Sequence, residues 1–249
     1  MALEDFSGAK ADFDRAIILN PGYVDVYAMR AGLRERRGDT AGADADIAIA
    51  NQLGPANRLA LLENTFILKH RGDFAGALSL LTNGLNSVKP SGARYADIGF
   101  LEFSLHDDPA AVQRLRKALD MDPTITYARF FLWLARVRQG APAEASRELR
   151  EQLALHPAPR GRPWESSIGK YLAGDLLETN LFTEATTAAR RPTDLDGQMS
   201  EACYYAGMKH LFAGDKTGAG QLFEQCVALD MNWHVEYADA KVELRELKK

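Results

Sequence analysis

Residues 24–55 read VDVYAMRAGLRERRGDTAGADADIAIANQLGP. Two amphipathic stretches are divided by Gly38, which ends the first, and by Asp39-Thr40, which can cap the second. In the second stretch Ala43, Ile47 and Ala50 share one helical face. A small residue on that face lets two antiparallel helices approach closely, and the bulkier residue one turn later fills the seam. Pro55 closes the segment, because proline has no amide hydrogen to donate and biases the preceding residue away from helix. The stretch therefore reads as one helix-turn-helix unit.

The same punctuation recurs in both directions. Ala9, Ala43, Ala77, Ala111 and Ala145 are each 34 residues apart, and Ala185 and Ala219 repeat that spacing after one gap of 40. One turn beyond each stands Phe13, Ile47, Leu81, Leu115, Leu149, Ala189 or Phe223. Turn residues precede most of the alanines, at Gly38, Gly72, Gly140, Asn180 and Gly214, and prolines close units at Pro21, Pro55, Pro90, Pro123 and Pro157. Interlocked ladders of one period mark a stack of repeats. Units are expected at 1–23 (lacking most of its first helix), 24–57, 58–91, 92–125, 126–159, 166–199 and 200–233, with a capping helix at 234–249. The long gap maps to Pro157–Pro163, where a surface connection and a bend or sub-domain border over 157–165 are expected. In the fourth unit Asp108-Pro109 reads as an N-cap followed by proline at the first helical position. The second helix of the sixth unit is expected to stop near Arg191. In the capping helix Val235, Ala238, Val242 and Leu244 read as the buried line, with Lys241, Glu243, Arg245, Glu246, Lys248 and Lys249 in solvent.

These ladders resemble the tetratricopeptide repeat over essentially the whole chain. Its aromatic position is filled by Tyr27 and Tyr95, its small first-helix position by Ala31, Gly99, Ala173 and Gly207, and its second small position by the alanine ladder. The resemblance implies an all-α right-handed superhelix of about seven helix-turn-helix repeats. Trp133 departs from it, standing where a small residue is expected, so its helix pair should be splayed or shifted. The latter half, through Trp133-Leu134-Ala135-Arg136, Tyr171-Leu172-Ala173-Gly174, Tyr205-Ala206-Gly207 and Glu236-Tyr237, also resembles the bacterial NlpI-type repeat lipoproteins, which act as envelope adaptors. Neither a signal peptide nor a cysteine suited to lipid attachment stands near Met1, so a membrane anchor is not supported. The chain as written points to the cytoplasm, and to the periplasm if a leader has been removed.

Composition bounds the chemistry. With 46% hydrophobic residues, 26% charged and a net charge of −4, the chain lacks the basic field that nucleic acid requires. No apolar run approaches the roughly 20 residues of a membrane span. Gly214-Asp215-Lys216-Thr217-Gly218 has the wrong order for a phosphate loop and falls on repeat positions. His70, His106, His156, His210 and His234 form no metal-ligand spacing, and His106-Asp107-Asp108 reads as a capped turn. Cys203 and Cys226 should face the helix seam as buried thiols, and whether they pair is left open. No nucleophile, base and orienting group assemble, so the expectation is a non-enzyme without metal or cofactor.

The repeat surface remains. The inner side of the first helices would carry Leu62, Phe66, Phe100, Phe103, Tyr127, Phe130, Phe131, Leu134, Tyr171, Tyr204, Tyr205, Met208 and Phe212. In the tetratricopeptide family that side lines a concave groove, and clustered aromatics there would anchor a peptide or helix. In a tight superhelix the same residues would be buried by neighbouring helices or a partner subunit. The carboxylate clamp of chaperone-binding relatives is absent, since its positions hold Ala28, Gly32, Glu63, Ala93 and Asp97. The leading expectation is an adaptor binding a protein or peptide partner through this groove. The alternatives are a self-assembly module forming a homodimer or stack, or a regulatory segment of a larger enzyme.

Overall fold

Four of the turn glycines adopt a backbone conformation that side chains disfavour, with φ of 78° at Gly38, 83° at Gly72, 86° at Gly140 and 85° at Gly214. His106, with φ 61°, takes that role in the fourth unit, where no glycine stands. In the sixth unit the turn falls at Gly174, φ 90°, and the expected turn residue Asn180 lies inside the following helix. Aspartates then start the second helices. The Asp39 carboxylate accepts from the Gly42 amide, Asp73 from Gly76, Asp107 from Ala110 and Asp215 from Gly218. The cap of the fourth unit is thus Asp107, one residue before the expected Asp108, because Asp108 itself already lies in the helix.

The structure is a computed structural model that describes residues 6–55, 57–85, 90–157, 163–232 and 234–249. Among the described residues it consists of fourteen α-helices and no strand. The chain divides into two compact units, Met1–Lys89 and Pro90–Lys249. The border expected over 157–165 falls inside the second unit, and its residues 158–162 lie outside the described ones.

The first unit contains α1 (Phe6–Leu19), α2 (Val24–Arg36), α3 (Thr40–Leu53), α4 (Arg58–His70) and α5 (Phe74–Leu85). Each helix packs on its successor, and α2 also packs on α4. Ala31, Ala43, Ala50, Ile47 and Ile67 fill the seams. Ion pairs tie the layers together: the Arg30 guanidinium meets both Asp14 and Asp46, and Arg71 meets Glu35 and Asp44.

The second unit contains α6 (Gly92–Ser104), α7 (Asp108–Met121), α8 (Thr126–Arg138), α9 (Pro142–Leu155), α10 (Pro163–Ala173), α11 (Glu178–Ala188), α12 (Pro192–Phe212), α13 (Lys216–Ala228) and α14 (Val235–Leu247). The even-numbered helices stack as an inner layer, α6 on α8, α8 on α10, α10 on α12 and α12 on α14. The small positions explain the close approach of the pairs. A Cβ added at Gly99 would stand 2.7 Å from Leu115 Cγ, and one at Gly207 would stand 2.6 Å from Phe223 Cε1. Trp133, the bulky exception, sits in the α8–α9 seam, donates from its indole to Ser146 Oγ at 3.1 Å, and borders a narrow cavity with Ala145, Leu149 and Gln152.

Two expectations about the C-terminal part are corrected. Helix α11 ends at Ala188, short of Arg191, and α12 begins at Pro192 rather than near Ser200. Proline suits the first turn of a helix, where its missing N–H would be unpaired anyway, and no turn signal interrupts the run before Ala213-Gly214. The buried side of α14 is also different from the apolar line. Ala238 is buried as expected, but Glu236, Asp239, Ala240 and Glu243 also face the interior, while Val235, Val242 and Leu244 are half-buried.

Candidate functional site

The inner layer of the second unit closes on itself. Besides its stacking neighbours, α12 reaches α8 and α14 reaches α6. Most of the residues expected to line an open groove there are consequently core, while Phe100 and Tyr127 are half-buried. Phe103, Phe130, Phe131, Leu134, Tyr204, Tyr205 and Met208 are each 0% exposed, and Tyr171 is 2% exposed. Their rings interlock across the closure, with Phe131 stacked on Tyr204 at 6.1 Å and Phe130 edge-on to Tyr205 at 5.8 Å. Phe100 and Phe103 complete the group against Phe131 at 4.7 and 5.3 Å. Phe212 lies half-buried 6.2 Å from Trp133. The physical reason is curvature: each repeat turns its inner helix far enough that this face meets itself instead of solvent.

In the first unit the corresponding side chains stay half-buried. Leu62 and Phe66 on α4 retain exposed surface. Arg36 Cζ lies 4.3 Å from the Phe66 ring centroid and His70 stacks on the same ring at 5.9 Å. Next to Leu62, the Glu63 carboxyl is pushed up by burial, and its Oε2 has no hydrogen-bond partner.

A polar network runs through the aromatic core of the second unit. The Tyr127 hydroxyl donates to Glu201 Oε1 at 2.7 Å, and the Trp164 indole N–H donates to Glu201 Oε2. Tyr205 donates to Glu236 Oε1 at 2.8 Å, and Tyr204 donates to Asp239 Oδ2. His234 Nδ1 stands 3.6 Å from Glu201 Oε1. Burial, and then the charge of Glu236, pushes the Glu201 carboxyl up to about 8. Burial pulls His234 down, so its imidazole is neutral near pH 7. The hydroxyls of Tyr127, Tyr204 and Tyr205 are held far above their ordinary range by burial first and neighbouring carboxylates second. They serve as donors and do not ionise.

A second polar group lies between α8 and α14. Arg138 donates to Asp108 at 3.2 Å, to the Phe103 carbonyl at 3.1 Å and to Glu243 at 2.6 Å, with its guanidinium over the Phe103 ring. Glu243 is pushed up to about 8 by burial and then by Asp239.

Glu201, His234 and Glu236 bring one donor atom each to within 4.8 Å of the others. None of the spacings within this group is a ligand motif. A signal was present in the i, i+3, i+7 spacing of Glu236, Asp239 and Glu243, which is an inward helical stripe made of acids. Cys203 and Cys226 are buried, as expected, and both are free thiols.

This arrangement, helix pairs with small residues in the seam and an inner layer of first helices, is the tetratricopeptide-repeat fold. No protein-family model matches the chain. Among solved structures, a tetratricopeptide repeat protein from Parabacteroides merdae aligns with a TM-score of 0.60 at 15% identity, over 96% of this chain and 93% of that one. PilW, described as a widely conserved type IV pilus biogenesis factor, aligns with a TM-score of 0.50 at 19% identity, over 91% of this chain and 98% of that one. At such identities the likeness is one of fold.

Proposed function

We propose that the protein is a non-catalytic interaction scaffold whose partner segment docks on the inner face of the first unit. The observation that carries this reading is that Leu62 and Phe66 remain half-buried, whereas Phe103, Phe130, Phe131, Leu134, Tyr204, Tyr205 and Met208 of the second unit are wholly enclosed. A half-buried aromatic with an arginine over its ring is the kind of residue that anchors a peptide, burying further on binding.

The reading is tested by selecting peptides from a displayed library on the purified full chain and repeating the binding with Phe66→Ala and Leu62→Ala. Loss of at least tenfold in affinity with unchanged helicity supports it, corresponding to about 1.4 kcal/mol or more. Selected peptides that bind both variants as well as the parent chain, or no selected peptide at all, would overturn it.

A further inference from the structure

We propose that Glu201, His234 and Glu236 form a binding site for one divalent transition-metal ion, with zinc as the fitting occupant. Glu201 comes from the inner helix α12, His234 is the residue before α14, and Glu236 lies in its first turn. The fold thus assembles two carboxylates and one imidazole from segments more than thirty positions apart. Their donor atoms lie within 4.8 Å of one another, with the Nδ1 to Oε1 pair at 3.6 Å. Two ligands of a tetrahedral zinc ion, bonded at roughly 2.0–2.2 Å, stand about 3.4 Å apart, which the His234–Glu201 pair already approaches and the other pairs reach by closing up to about 1.4 Å.

Three further features favour a cation over a purely structural role. The first is charge. Glu201 is 4% exposed and Glu236 is 2% exposed, so two buried carboxylates share one place. Buried carboxylates so close together call for a cation, and an imidazole nitrogen beside them suits a metal ion. The second is support. Tyr127 and Trp164 hold the Glu201 carboxylate and Tyr205 holds Glu236, in the manner of donors behind metal ligands. The third is access and room. The His234 side chain is 23% exposed and gives the site a route to solvent. Gly197, one turn before Glu201, leaves space for the imidazole, since a Cβ there would stand 3.3 Å from His234 Cε1.

A second cluster on the surface provides the control. His210 Nδ1 lies 2.7 Å from Asp215 and its Nε2 lies 3.1 Å from Glu178, so the imidazole already uses both nitrogens on different acids. The experiment titrates the chelator-stripped full chain with Co²⁺, followed by its visible ligand-field bands, and then with Zn²⁺ in competition. One ion per chain is expected, with a higher melting temperature in zinc. Glu201→Gln, His234→Gln and Glu236→Gln should each weaken binding at least tenfold, while His210→Gln leaves it unchanged. Tyr127→Phe, which keeps every ligand and removes one supporting donor, should weaken it by a smaller factor. Should Glu201→Gln fail to fold, His234→Gln at the solvent edge carries the comparison alone. Absence of stoichiometric binding by the parent chain, or binding indifferent to His234→Gln, would overturn the proposal.

Discussion

Arg138 Nη2 on α8 donates to Glu243 Oε1 on α14 at 2.6 Å, joining residues 105 positions apart. The same guanidinium reaches Asp108 and the Phe103 carbonyl and lies 3.9 Å from the Phe103 ring centroid, so one cation serves three helices.

Removing that cation leaves buried acids without compensation. Arg138→Met is expected to destabilise the second unit by about 3–5 kcal/mol, as loss of one partner from a buried pair does. Adding Glu243→Gln should recover part of the loss, and urea unfolding of the single and double variants measures the coupling.

The pH dependence follows from Glu243 together with Glu201, whose carboxyl is also pushed up to about 8. The Glu243 pKa rises from 4.5 in the unfolded chain to about 8 in the fold, through burial and then Asp239, with Arg138 opposing. The native state therefore holds more protons than the unfolded state between those values, and stability falls as pH rises through that window. Asp239, also raised by burial, adds in the same direction. His106, 3.7 Å from Glu243, is pulled below 6.5 by burial and contributes the opposite slope on the acid side of that value. With chelator present, the melting temperature is expected to decline from about pH 6.5 to about pH 8 and level off above it. Glu243→Gln should flatten the decline in part; an unaltered slope in that variant would refute the assignment.

The repeat seam can be tested with two glycines of one helix pair. Gly207→Ala drives a methyl to 2.6 Å from Phe223, and overpacking of about 1–3 kcal/mol should exceed the helix-propensity gain. Gly220→Ala meets only Leu247 Cδ1 at 3.7 Å and should stabilise by about 0.5–1 kcal/mol. Thermal melts followed by circular dichroism separate the two signs. Ala111→Trp, at a wholly buried ladder position, should abolish the cooperative transition of the second unit.

Phe131 distinguishes core from binding surface. Phe131→Ala is expected to lose about 3–5 kcal/mol of stability, because it empties a site enclosed by Phe100, Phe103 and Tyr204. Phe66→Ala, at a half-buried position, should lose about 1 kcal/mol or less. Chemical denaturation of the two variants provides the comparison, and equal losses would contradict the difference in burial.

The sequence by itself determined the helices, their pairing and the seam. Gly38, Asp39 and Ala43 act through backbone geometry and contacts within one unit, and those are set by spacings of a few residues. Hence the alanine ladder from Ala43 to Ala219 lies buried and the turn glycines lie where the period puts them, with the slip at Gly174 arising where that period is broken. The tertiary structure alone decided what the inner face does. Phe131 and Tyr204 are 73 positions apart in sequence, and they meet because small rotations between successive repeats accumulate until α12 reaches α8. No periodicity within a helix records that sum. The inward acids of α14 are not legible in the sequence for a related reason. A carboxylate reads as surface because desolvation is costly, and it turns inward only where hydroxyls and a guanidinium arrive from elsewhere in the chain. Tyr205 beside Glu236, Tyr204 beside Asp239 and Arg138 beside Glu243 are such arrivals, and closure of the inner layer brings them together.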